Sequence, residues 1–141
     1  RPVEMSGAIG IEQLKKLPLF LKQRRENAKV FVELFKDHPD FIIQADIDNS
    51  SWFGFSLIIK PGSTLQRKNV INRLRENNIE CRPIVTGNFT RNDVMKYFDY
   101  EVHKTLKNAD HLHDNGFFVG NGHMLLDGSI RGLFNLLSET G

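Results

Sequence analysis

The chain has 141 residues, 40% hydrophobic and 26% charged, which suits one ordinary globular domain with its own core. Nineteen basic residues against 17 acidic ones, interspersed to a net charge of +2, exclude a dedicated nucleic-acid face. One cysteine excludes an internal disulfide and fits a reducing, cytoplasmic setting, no secretory signal is recognisable, and no apolar run approaches the ~20 residues of a membrane span.

The chain opens on Arg1-Pro2, with helical pattern directly after Met5, which reads as a piece cut from a longer polypeptide. Ser6 to Leu17 predicts a helix carrying Ile9, Leu14 and Leu17. Its first turns are small: Ser6, Gly7, Ala8 and Gly10. Each helical glycine costs about 1 kcal/mol relative to alanine and is tolerated where another backbone comes close. Pro18 is expected to break or kink the pattern. A second helix is expected from Leu19 to Lys36, with Leu21, Ala28, Phe31, Val32 and Phe35 on one stripe.

Phe41–Ile47 and Trp52–Lys60 are the first two expected strands, joined through the turn cluster Asp48-Asn49-Ser50-Ser51 as an antiparallel pair. Trp52–Lys60 is apolar on both faces, so it is expected to be central. Ser63 and Gln66 form an S-x-x-Q pattern that predicts a capping box opening a helix with Val70, Ile71 and Leu74 inside. Asn77-Asn78 ends that helix, and Ile79–Ile84 is the third strand. Asn92–Phe98 reads as a short helical piece. Val102, Leu106, Ala109 and Leu112 recur at helical spacing, with Asn115-Gly116 as a C-terminal cap. Phe117–Val119 is a short buried strand. The last helix opens at Asp127 and buries Ile130, Leu133, Phe134 and Leu137. The expected fold is therefore α+β, a small mixed or antiparallel sheet with helices mainly on one face.

Three polar loops stand out. Thr86-Gly87-Asn88 is a turn bracketed by Arg82 and Arg91, whose planar forks suit a phosphate or carboxylate; a surface loop with two solvated arginines fits the same pattern. Gly120-Asn121-Gly122-His123 follows a strand, but Leu125 stands where a dinucleotide fingerprint needs glycine or alanine. That leaves a plain turn, or a loop that aims Asn121 and His123 at a ligand. His111 and His113 lie two apart on a helix and point in nearly opposite directions, so no shared metal is expected. Cys81 has no C-x-x-C partner and reads as a buried strand thiol. No pair of carboxylates stands out as an acid/base couple, and no complete catalytic apparatus is visible.

Taken together, Arg1, Glu4, Ser6-Gly7-Ala8, Gly10, Gln13-Leu14, Lys16-Leu17, Arg24 or Arg25 and Asn27 resemble the start of the C-terminal domain of the DegT/DnrJ/EryC1/StrS sugar aminotransferases, which are fold-type I enzymes dependent on pyridoxal phosphate. The resemblance continues through SWFGFSLII, RLRENNIECRPIVTGN and FFVGNGHM to the terminal helix, over essentially the whole chain. Within the family, RPIVTGN is similar to the 3-dehydratases of nucleotide-linked 4-keto-6-deoxyhexoses, which use pyridoxamine phosphate in lipopolysaccharide O-antigen synthesis.

The resemblance implies that residues 1–141 are one small C-terminal domain of a longer enzyme. The large domain holds the cofactor aspartate, the ring-stacking residue and the catalytic lysine or histidine, so no catalytic, cofactor-binding or metal-binding residue is expected here. The implied partners are the chain's own large domain, a second subunit of a homodimer and a nucleotide-sugar, with neither nucleic acid nor membrane. The substrate-facing candidates are Arg82, Asn88, Arg91, Asn121 and His123. A 4-keto-sugar aminotransferase of the same family is the alternative activity; a stand-alone ferredoxin-like ligand-binding module is the alternative of a different class.

Overall fold

A computed structural model describes residues 3–47 and 50–139. The expected contributions of Arg1, Pro2, Asp48 and Asn49 lie outside the described residues. Helix α1 spans Glu4–Phe35, followed by strands β1 (Phe41–Ile43) and β2 (Gly54–Ile59), helix α2 (Arg67–Glu76) and strand β3 (Cys81–Pro83). Two 3-10 turns, Phe89–Arg91 and Asp93–Tyr97, lead to α3 (Lys107–Asn115), β4 (Gly116–Gly120) and α4 (Asp127–Ser138).

The sheet order is β1-β2-β4-β3, and every neighbouring pair is antiparallel. The two-sided apolar strand β2 is central, as its sequence requires. The register puts Phe41, Phe55, Leu57, Phe117 and Val119 on one face. There α1, α2 and α4 meet the sheet through Phe31, Phe35, Val70, Leu74, Ile130, Leu133 and Leu137. Phe31 is fully buried and stacks on Phe35 (4.7 Å) and Phe55 (4.4 Å). On the second face, a Cβ at Gly116 would lie 2.6 Å from the Leu112 carbonyl of α3 and 2.8 Å from Ile84. Helix α3 therefore covers one end of this face, and the end at Phe118 and Gly120 stays open.

Several boundaries depart from expectation for local reasons. Pro18 does not divide α1, which runs unbroken for 32 residues. The hydrogen bond that proline cannot donate would go to the Leu14 carbonyl, on an exposed stretch where water replaces it. β1 stops at Ile43 rather than Ile47, because the Gln44 carboxamide takes over the ladder, donating to the Gly54 carbonyl (3.1 Å) and accepting from Ser56 N–H (2.8 Å). β2 starts at Gly54 rather than Trp52, since Trp52 has φ +46°. The third strand is confined to Cys81–Pro83, Pro83 having no N–H for the ladder. The capping box does not form: Ser63 accepts from Leu65 N–H (3.2 Å) and donates to Asp40 (2.7 Å), and α2 begins only after Gln66. α3 is shorter than the apolar spacing suggests, with Val102 and Leu106 outside it. Gly116 has φ −95°, so it is no left-handed cap; it is small because Leu112 and Ile84 leave no room.

The first half of α1 stands clear of the domain. Every residue from Val3 to Leu19 is exposed, including Met5, Ile9, Ile11, Leu14 and Leu17, and a Cβ at Gly7 or Gly10 would meet nothing within 4 Å. Among the described residues, no helix is long and apolar enough to cross a membrane.

Candidate functional site

The loop after β4 is built around two buried carboxamides. Asn121 is 6% exposed; its Nδ2 donates to the carbonyls of Arg24 (3.1 Å) and Trp52 (3.0 Å). Its Oδ1 accepts from Nδ2 of Asn27 (3.2 Å), which is 2% exposed. Asn27 Nδ2 also reaches the carbonyls of Met124 (2.8 Å) and Gly122 (3.3 Å), while its Oδ1 accepts from Leu126 N–H (3.2 Å). The Arg24 guanidinium donates twice to the Trp52 carbonyl. Buried amides must be paired in this way, because an unmet polar group away from water costs about 1–3 kcal/mol. The network ties α1 to the turn before β2 and to the loop after β4.

Those two segments frame a cavity of about 430 Å³ at the open end of the second sheet face, lined by Phe53, Glu80, Arg82, Phe118, Gly120, Asn121 and Gly122. Gly120 contributes no side chain to the lining, and across the β2–β4 pair the Phe118 ring lies over Gly54, where a Cβ would sit 2.8 Å from it. Phe53 is 78% exposed, and its ring lies 5.8 Å from that of Phe118. Arg82 donates from Nε (3.1 Å) and Nη2 (2.8 Å) to the same oxygen, Oε1, of Glu80.

The loop after β3 is held separately. Gly87 has φ +56°, and a Cβ there would sit 2.7 Å from His113 Nδ1, so only glycine fits. The next residue, Asn88, donates from its backbone N–H to His113 Nδ1 (3.3 Å) and from Nδ2 to Asp110 (2.8 Å). Its Oδ1 accepts from the backbone N–H (3.1 Å) and hydroxyl (2.7 Å) of Thr90. Arg91 pairs with Asp114 at 2.8 Å and Asp110 at 3.7 Å. Val85, a β-branched residue at φ +35°, is strained in this turn.

The five sequence candidates thus fall in three places. Arg82 and Asn121 line one cavity. Asn88 and Arg91 bind the β3 loop to α3. His123 lies against Phe20 of α1, ring centroids 4.1 Å apart. His111 does not share a site with His113: it meets the Ile59 carbonyl (2.9 Å) and Asn115 (3.2 Å). Cys81 is buried, and desolvation raises its thiol pKa, which keeps it protonated and poorly nucleophilic. Sequence reasoning passed over Phe53 and Phe118, and took Glu80 only as a surface partner for Arg82. Glu80 had a signal: it stands two residues before Arg82, on the same side of an extended chain.

The DegT/DnrJ/EryC1/StrS aminotransferase family matches residues 1–135. The chain is 60% identical over 122 residues to a GDP-4-keto-6-deoxy-D-mannose 3-dehydratase of Escherichia coli O55:H7, covering 86% of the chain and 31% of that protein. A GDP-4-keto-6-deoxy-D-mannose 3-dehydratase of Yersinia pseudotuberculosis is 51% identical over 140 residues, covering 99% of the chain and 36% of that protein. The solved structure described as E coli GDP-4-keto-6-deoxy-D-mannose-3-dehydratase with bound hydrated PLP superimposes with a TM-score of 0.93 at 56% identity, covering 97% of the chain and 36% of that structure. The chain spans about a third of the length of these relatives.

Proposed function

The chain belongs to the DegT/DnrJ/EryC1/StrS aminotransferase family, and on that premise we propose that it is the C-terminal domain of a 3-dehydratase acting on a nucleotide-linked 4-keto-6-deoxyhexose with pyridoxal or pyridoxamine phosphate. The observation that carries this is identity above one half to two 3-dehydratases along nearly the whole chain. The pathway served is deoxysugar synthesis for lipopolysaccharide, in the cytoplasm.

The chemistry is assigned to the part of the polypeptide that precedes this domain. When bound, the cofactor supplies the amine through which the sugar 3-hydroxyl is eliminated. The cavity at Phe53 and Arg82 does not fit that group: its lining has neither a lysine to bond the cofactor nor a histidine to move a proton. No step is therefore routed through this domain. Its residues bind and orient the substrate. Arg82 and Asn121 line the cavity that receives part of it, while Asn88, Arg91 and His123 hold the neighbouring loops in place. Asn121 has its carboxamide committed to Asn27, Arg24 and Trp52, so it shapes the cavity rather than donating into it. The exposed first half of α1, with its small residues and Ile9 and Leu14, is assigned to packing against the large domain and a second subunit.

The test is product analysis with the full-length polypeptide, pyridoxamine phosphate and GDP-4-keto-6-deoxymannose. A product that has lost the 3-hydroxyl and gained no nitrogen supports the dehydratase. A product that keeps the 3-hydroxyl and carries a 4-amino group assigns the chain to the family's aminotransferases instead.

A further inference from the structure

We propose that Arg25 is an ionic seat on α1, receiving a carboxylate from the part of the polypeptide that lies outside these 141 residues. This deepens the reading of the chain as one domain of a longer enzyme and rests on it.

Along α1, Leu14, Pro18, Leu21, Arg25, Ala28 and Val32 recur at alternating spacings of four and three, so they share one stripe of the helix. Arg25 is its only charged member. Toward its C-terminal end the stripe joins the domain's own core, where Ala28 is buried and Val32 packs against it. Toward its N-terminal end it is bare, Leu14 being 66% exposed. Arg25 stands where one passes into the other. Two adjoining cavities meet at its side chain, one of about 510 Å³ on the side of Leu17 and Leu21, the other of about 330 Å³ on the side of Val32 and Trp52.

The guanidinium has no partner among the described residues, and its Nε is buried without a hydrogen bond. The carboxylates around it are engaged elsewhere. Glu26 pairs with Lys29 at 3.0 Å, Asp46 accepts from Trp52 Nε1 and from Ser50 N–H at 3.2 Å each, and Glu33 acts on Arg131 of α4. The adjacent Arg24 is used inside the domain, on the Trp52 carbonyl. A buried N–H without an acceptor is a cost that the fold carries until an acceptor arrives. The group that matches a planar guanidinium fork is a carboxylate, with two oxygens side by side.

The chain spans about a third of the length of the relatives it matches, so a full-length polypeptide has the bulk of its sequence available to cover this stripe. A segment that buries Leu14 and Leu21 lies along α1 and passes over Arg25. It can do so without penalty only by bringing a negative group to the guanidinium, because a buried charge must be paired.

The experiment follows the melting temperature and the molar mass of the full-length polypeptide. Arg25→Met keeps a long apolar stem and removes the charge; Arg25→Lys keeps the charge and removes the fork. Arg25→Met strands the carboxylate and is expected to lower the melting temperature by about 3–10 °C, with Arg25→Lys falling about half as far. The molar mass from light scattering is expected to stay that of the parent. Arg25→Met melting at or above the parent overturns the proposal, as does Arg25→Lys being as damaging as Arg25→Met. Loss of a subunit in Arg25→Met assigns the carboxylate to a second copy and also overturns it. So does a rise in the parent's melting temperature with inorganic phosphate that Arg25→Met does not share, since the guanidinium is then open to dissolved anions. If Arg25→Met yields no folded protein, Arg25→Lys decides: a lowered melting temperature supports the seat and an unchanged one overturns it. Product analysis of the parent keeps the two readings apart. A deoxygenated product with no loss in the Arg25 variants removes this proposal alone; an amino product with the expected losses removes only the dehydratase.

Discussion

Replacing Asn27 by alanine tests how the loop around Asn121 is held. Asn27 Nδ2 has two hydrogens and three acceptors in range; the shortest contact, to the Met124 carbonyl at 2.8 Å, uses one fully, and Asn121 Oδ1 and the Gly122 carbonyl share the other. The Leu126 N–H donates to Asn27 Oδ1 at 3.2 Å. Truncation leaves the Asn121 Oδ1, Met124 carbonyl and Leu126 N–H without this partner. Each buried group left unmet costs about 1–3 kcal/mol, and water entering the part-buried positions recovers some of it. The net expectation is a loss of about 2–4 kcal/mol. The assay is urea denaturation followed by the fluorescence of Trp52, the sole tryptophan, which is 2% exposed and shares a carbonyl acceptor with the network. Because Asn27 and Asn121 bond directly, Asn27→Ala and Asn121→Ala together should cost less than the sum of the two alone, by about 0.5–3 kcal/mol. A loss under 0.5 kcal/mol, or strict additivity, refutes the network as the support of this loop.

His38 is 2% exposed, packed by Phe35, Phe41 and Phe134, and burial lowers its pKa, with Lys60 adding to the effect and Asp40 opposing it. The unfolded chain, whose histidine titrates near 6.5, then takes up a proton before the folded one, so this contribution to stability is full above about pH 6.5 and is lost as pH falls through the lower folded value. Denaturation midpoints measured from pH 7.5 to 5 should fall in the parent and fall less in His38→Gln; equal slopes contradict the assignment. Val85→Gly relieves the positive φ and should raise stability by about 1 kcal/mol in the same assay, whereas a loss of that size argues the turn is not strained. Arg82→Ala in the full-length enzyme should raise KM while changing stability by less than about 0.5 kcal/mol, since the Arg82–Glu80 pair is exposed. Unchanged kinetics would make Arg82 a plain surface residue.

Elements whose burial is written in local periodicity were legible. The two-sided apolar run of β2 placed it at the centre of the sheet, and Ile130, Leu133 and Leu137 marked the inner side of α4. The close of α2 was visible in Asn77-Asn78, where Asn78 takes φ +58°. Pro18 did not end the helix, because the cost of a proline depends on whether its orphaned carbonyl can reach water, which the sequence does not state. Gly116 looked like a cap although its cause is a carbonyl from α3 pressed against it. The polar loops were found by their glycines and asparagines, but their partners lie far away in sequence: Asn27 and Asn121 are separated by 94 positions. Phe53 was hidden for a different reason. In a strand run it looks like core, and only the left-handed turn at Trp52 throws it outward.

On the proposed function, this domain recognises substrate while the chemistry resides in the rest of the polypeptide. Titrating pyridoxal phosphate into the 141-residue chain and into the full-length polypeptide, and following visible absorbance, tests it directly. The expected result is saturable binding by the full-length polypeptide and only weak, unsaturating change with the isolated chain. A saturable micromolar complex with the isolated chain would contradict it.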